Sequence, residues 1–88
     1  MPYFVAFLNK VDPKKDKELL EIHIDYLNKH IELGNIYAKG PFMDHSGGLI
    51  IYKASDYDTA YKLASEDPAV KEGSRELIFK EWKSTLVE

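Results

Sequence analysis

The run Tyr3-Phe-Val-Ala-Phe-Leu8 is apolar at every position, so a strand built from it is apolar on both faces. Tyr3, Val5 and Phe7 point one way; Phe4, Ala6 and Leu8 point the other. The run Leu49-Ile-Ile-Tyr52 repeats the pattern, with Leu49 and Ile51 opposing Ile50 and Tyr52. A sheet holding both strands has to be covered twice. An 88-residue chain has few helices to do it with, and a chain of this size buries only about 60–65% of the surface it exposes when unfolded. One domain over residues 1–88 is therefore expected, with help from a second subunit.

The remaining segments fall into order around these strands. From Lys14 to Leu33, Leu20, Ile24, Leu27 and Ile31 recur at helical spacing. Asp12-Pro13 supplies a cap and a first-turn proline, and Gly34-Asn35 a left-handed stop. Ile36 to Phe42 reads as a strand whose Gly40-Pro41 suits a strand end or bulge. Asp44 to Gly48 is a turn by composition, and Leu49 to Lys53 is the next strand. Ser55, with Asp58 three residues on, has the spacing of a cap for a short helix reaching about Glu66. Pro68 forces Asp67 out of the helical region, Ala69 to Ser74 reads as a loop, and Arg75 to Lys83 closes as a fourth strand. The order is βαββαβ, the α+β ferredoxin-like plait: a four-stranded antiparallel sheet with two helices. Right-handed crossovers put both helices on one face. The expected cover for the other is a second copy, giving a homodimer of the dimeric α+β barrel type. A returning C-terminal segment is the alternative.

Composition narrows the chemistry. The chain has no cysteine, which removes disulfides, thiolate ligands and thiol nucleophiles. Its net charge of −3 comes from interleaved signs, which weighs against a nucleic-acid partner. The apolar runs are far shorter than the roughly 20 residues that cross a bilayer, so no membrane partner is expected. No basic leader precedes the first of them, and the expected location is cytoplasmic.

Three histidines are the side chains that titrate near neutrality when unperturbed. His23 and His30 lie on the long helix about 20° apart in rotation but roughly 10 Å apart along the axis, too far to share a metal ion. No metal site is expected. A histidine flanking an apolar stripe is ordinarily a core-edge residue satisfied by a carbonyl. Asp25 points to the opposite side of the helix, so a carboxylate that orients His23 has to come from elsewhere in the fold. Asp67 breaks a local rule, because a negative charge just beyond a helix C-terminus opposes the macrodipole. Such departures gather at functional sites, although Asp-Pro is also an ordinary helix exit. Asp44-His45-Ser46 has the residue types of a hydrolase triad, yet three consecutive turn residues cannot adopt its geometry. His45 remains a candidate ligand contact, and the hydroxyls of Tyr26 and Tyr37 are candidates to enter a pocket.

With His23, Gly40-Pro-Phe-Met43, Gly48 and Asp67-Pro-Ala-Val-Lys-Glu-Gly73 in this order, the whole chain resembles the YCII-related (YciI-like) family. The Asp-Pro-x-Val-x-x-Gly stretch after a short helix is the most specific part. The chain departs from many members in its short Met43 to Gly48 connection. The resemblance implies a dimeric ferredoxin-like α+β barrel, akin to muconolactone isomerases and related cofactor-free enzymes. It implies that His23 and Asp67 form a catalytic dyad, and the activity associated with the family is dehydrochlorination of a chlorinated hydroxyquinol. On this reading His23 is the general base or acid and Asp67 fixes its tautomer, without a cofactor. Proton abstraction, elimination or isomerisation of a small aromatic or lactone-like molecule fits such a pair. The substrate is expected in an apolar cleft between the first helix and the sheet, in contact with His45, Tyr37, Gly40 and Pro41. The alternative is a dimeric module that binds a small molecule without chemistry.

Overall fold

The computed structural model describes residues 2–85. Strand β1 (Tyr3–Lys10) leads into helix α1 (Pro13–Glu32), then β2 (Ile36–Pro41), β3 (Gly47–Lys53), α2 (Tyr57–Ser65), a short α3 (Pro68–Lys71) and β4 (Arg75–Trp82). The strands form one sheet in the order β2-β3-β1-β4, and every neighbouring pair is antiparallel. This is the ferredoxin-like α+β arrangement. β1 lies inside the sheet, paired on both sides, as its doubly apolar sequence requires. β2 is an edge strand; its register slips between Ile36 and Ala38, and it ends at Pro41, where a missing N–H costs nothing.

Helix α1 begins where Asp12 Oδ1 accepts the Lys15 amide at 3.1 Å. It ends in a Schellman motif: Asn35 N donates to His30 O, and Gly34 N, at φ 80°, donates to Ile31 O. Two local readings are corrected. The cap of α2 is Asp56, which accepts the Thr59 amide at 2.8 Å, and not Ser55. The Ala69–Ser74 segment is not all loop: Pro68–Lys71 is one turn of helix, and Asp67 is its cap. A carboxylate that follows α2 is thus a carboxylate that opens α3, where its charge is favourable.

The core joins one face of the sheet (Phe4, Ala6, Leu8, Ile50, Tyr52) to Leu27 of α1 and to Ala60 and Ala64 of α2. The other face carries Val5, Phe7, Leu49, Ile51, Ile78 and Trp82, and a hollow of about 340 Å³ lies among Val5, Phe7, Leu49, Ile51 and Trp82. Among the described residues no helix lies over it. Residues 86–88, the end of the C-terminal segment considered as a cover, are outside the described residues.

Helix α1 is rotated from the apolar stripe seen in its sequence. Leu20, Ile24 and Ile31 are 44%, 38% and 42% exposed, and of that stripe only Leu27 is buried. Buried beside Leu27 are Asp16, His23 and His30. These three are seven residues apart, close to two helical turns, so they form one polar line along the inner face.

Candidate active site

Each member of that line meets a partner from a different segment. Asp16, near the start of α1, holds Arg75 of β4: Nε donates to Oδ1 at 2.7 Å and Nη2 to Oδ2 at 3.0 Å. The Ser74 hydroxyl also donates to Asp16 Oδ1, at 2.9 Å. Burial pushes the Asp16 carboxyl up, but the hydrogen bonds from Arg75 and Ser74 and the Arg75 charge outweigh it and hold the group below the ordinary carboxylate range. At the far end, Asn35 Nδ2 donates to His30 Nδ1 at 3.0 Å, and burial, assisted by Lys29, pulls the His30 pKa down. Because an amide nitrogen only donates, His30 Nδ1 accepts this bond and the ring proton lies on Nε2.

Between them His23 Nδ1 lies 2.6 Å from Asp67 Oδ1. Asp67 is fully buried, and the His23 side chain is 7% accessible. The same Oδ1 accepts the Ala69 amide at 3.0 Å, the capping bond that opens α3 and fixes the carboxylate. A carboxylate only accepts, so His23 donates through Nδ1–H, and in the neutral ring Nε2 carries the lone pair. Asp67 Oδ2 and the Tyr52 hydroxyl are buried without hydrogen-bond partners among the described residues. Burial raises the Tyr52 pKa far above the usual phenol value, and the Asp67 charge adds to the rise. Tyr26, which donates to Leu63 O at 2.6 Å, is pushed up to about 12, first by burial and then by Glu66 and Asp67. Both phenols stay protonated at neutral pH.

A cavity of about 150 Å³ opens between α1 and the β2–β3 side of the sheet. Leu8, Ile24, Leu27 and Ile50 form its apolar wall; Gly40, Pro41 and Gly48 line its β2–β3 side; Lys39 and Arg75 bring charge. Two of the contacts expected from sequence, Gly40 and Pro41, are thus at the cavity. The other two are elsewhere. Tyr37 stacks edge-on against Tyr3 at 5.4 Å, on the sheet face away from the helices. His45 is exposed in the β2–β3 turn at φ 64°. The expected Tyr26 hydroxyl is spent on a backbone carbonyl. His23 is not itself a wall of this cavity; its neighbour Ile24 is. Sequence reasoning missed Asp16, Ser74, Arg75 and Lys39. The i, i+7 spacing of Asp16 from His23 was visible, but nothing local announces an arginine 59 residues away. Among the described residues no three His, Asp or Glu side chains converge as a metal site, and no helix is long and apolar enough to cross a membrane.

Comparison with known proteins follows the same outline. The sequence model of the YCII-related domain matches residues 2–83. A Bacillus subtilis (strain 168) protein, the uncharacterized YjpA, is 31% identical over 81 residues, covering 92% of this chain and 95% of its own. Among solved structures, the fold is similar to that of 5-chloro-2-hydroxyhydroquinone dehydrochlorinase (TftG) from Burkholderia phenoliruptrix AC1100, in complex with 2,5-dihydroxybenzoquinone. The TM-score is 0.77 at 20% identity, over 92% of this chain and 93% of that one.

Proposed function

Because the chain belongs to the YCII-related family, we propose that it is a small cofactor-independent enzyme whose His23–Asp67 pair performs general acid/base chemistry. The observation that carries this reading is the buried 2.6 Å contact between His23 Nδ1 and Asp67 Oδ1. Asp67 holds the Nδ1–H tautomer and stabilises the imidazolium, and Nε2 takes a proton from carbon or returns one to a leaving group. The substrate is a small aromatic or lactone-like molecule, and the reaction is proton abstraction, elimination or isomerisation. A dehydrochlorinase of the same fold with a bound quinone supports that class. The working form is a cytoplasmic homodimer joined through the apolar sheet face, a reading supported by the uncovered Val5, Phe7, Leu49, Ile51 and Trp82.

The test is solvent-deuterium incorporation and chloride release from 5-chloro-2-hydroxyhydroquinone and a panel of lactones, with wild type, His23→Asn and Asp67→Asn. A positioned general base contributes about 10²–10⁴-fold, so the His23 variant should lose at least that, with its circular dichroism unchanged. A folded His23→Asn that turns over as wild type sinks the reading. A second reading rests on the near-complete burial of the pair and on its absence from the cavity wall: the contact ties α1 to α3, and the protein binds a small molecule without transforming it. Turnover by neither wild type nor variant, with ligand binding intact, is the outcome that favours it.

A further inference from the structure

Arg75 spends two of its three guanidinium nitrogens on Asp16. The third, Nη1, has no hydrogen-bond partner among the described residues and stands at the cavity, 3.7 Å from the place a Cβ on Gly48 would occupy. A side chain at Gly48 would also come within 3.0 Å of Gly40 O, so glycine there keeps the approach to Nη1 open. The arginine is held before any ligand arrives, because its ion pair with Asp16 is buried, with 9% and 7% of the two side chains accessible. Little rotamer freedom remains to be lost on binding.

Charge and size then define the occupant. The Asp16–Arg75 pair sums to zero, Lys39 adds one positive charge, and among the described residues no carboxylate lines the cavity. The rest of the wall is aliphatic. A cavity of about 150 Å³ with such a lining accepts one benzene-sized ring. We propose that this cavity binds a monoanionic single-ring molecule, its ring against Leu8, Ile24 and Leu27 and its negative oxygen on Arg75 Nη1, with Lys39 at the rim. The charge-assisted bond to Nη1 selects an anion over a neutral molecule of the same shape. This assignment rests on the small-molecule reading above, and it stands whether or not His23 does chemistry.

The experiment reads binding alone. Benzoate and its neutral isostere benzamide are titrated into ¹⁵N-labelled protein at fixed ionic strength, following the amides of Gly40 and Gly48. Benzoate should saturate and bind at least tenfold tighter than benzamide. Lys39→Met, at an exposed position, should weaken benzoate several-fold and leave benzamide unmoved; Ile24→Trp, which fills the cavity from its rim, should abolish both. Arg75→Lys should cost benzoate about tenfold, and if that variant does not fold the other two still decide. Equal affinities for the two probes, shifts confined to other regions, or wild-type binding by Ile24→Trp overturns the site. His23→Asn separates the two proposals: if it abolishes turnover while benzoate fails to reach the cavity in wild type, the dyad survives and this site does not. If it leaves turnover intact while benzoate binds as expected, the reverse holds.

Discussion

Asp67 receives His23 Nδ1 and the Ala69 amide on one oxygen, Oδ1, at 2.6 and 3.0 Å, so one atom both caps α3 and orients the imidazole. The local rule that a carboxylate is misplaced after α2 and the local rule that a carboxylate belongs before α3 meet at this residue, and the second prevails. The geometry sets the histidine tautomer through Asp67 alone, since no other group among the described residues bonds Nδ1.

Asp67→Asn is therefore expected to change the ring. An asparagine oxygen at the Oδ1 position keeps both bonds without the charge, whereas its nitrogen there donates to Nδ1 at the expense of the Ala69 cap; either way the charge-assisted hold on Nδ1–H is lost, and the Nε2–H form should gain population. Two-bond ¹H–¹⁵N spectra distinguish the tautomers directly. A wild-type ring that carries its proton on Nε2, or one indifferent to the substitution, contradicts the assignment.

Acid should weaken the fold through Asp16. Its pKa is depressed in the folded chain, so its contribution is complete above the unfolded value of about 3.9 and is lost as pH falls through the lower folded value. Asp16→Asn leaves Arg75 buried without its counter-charge, a loss of about 3–5 kcal/mol at neutral pH. Urea unfolding at pH 7 should show that gap, and in acid, as pH falls through the depressed folded value, the gap should narrow. A gap of the same size under both conditions would mean that packing, and not charge, accounts for the effect.

Self-association should follow the uncovered sheet face. Sedimentation at micromolar concentration is expected to give twice the 10.1 kDa chain mass, with an interface of about 1,200–2,000 Å². Val5→Glu or Ile51→Glu places a charge on that face and should yield monomer. Wild type sedimenting as a single chain is the contrary result.

Two glycines with positive φ should respond differently. At Gly47 (φ 151°) an added Cβ would lie 1.8 Å from the Leu8 carbonyl oxygen, inside the β1–β3 pairing. Gly47→Ala should cost at least about 3 kcal/mol, among the large single-site losses. At Gly34 (φ 80°) no atom of the described residues lies within 4 Å of an added Cβ, and alanine should cost only the left-handed penalty of about 1–2 kcal/mol. Urea midpoints of the two variants test the ordering.

The order and type of the main elements were legible because each is written locally: doubly apolar runs for β1 and β3, Asp12-Pro13 and Gly34 around α1, Pro68 after α2. The rotation of α1 was not. A hydropathy pattern favours burying Leu20, Ile24 and Ile31 and cannot know that Asp16 meets Arg75 or that His23 meets Asp67, partners 59 and 44 residues away. Two of the expected ligand contacts lie apart from the cavity for a similar reason: His45 and Tyr37 were plausible by residue type, but the turn holds one in solvent and the strand slip after Ile36 leaves the other against Tyr3.

The polar line of Asp16, His23 and His30 makes α1 an indexed rod. A helix seated on aliphatic side chains alone can slide or roll by small steps at modest cost, since one methyl group replaces another. Here three teeth engage three separate slots, on β4, on α3 and on the turn after the helix. One inserted residue between Asp16 and His30 would turn one end against the other by about 100° and draw a buried polar group off its partner. Conservative exchanges at Leu20, Ile24 or Ile31 leave the teeth engaged. The position of this helix along the sheet is thus set by polar notches, and its exposed aliphatic side chains are free to vary without moving it.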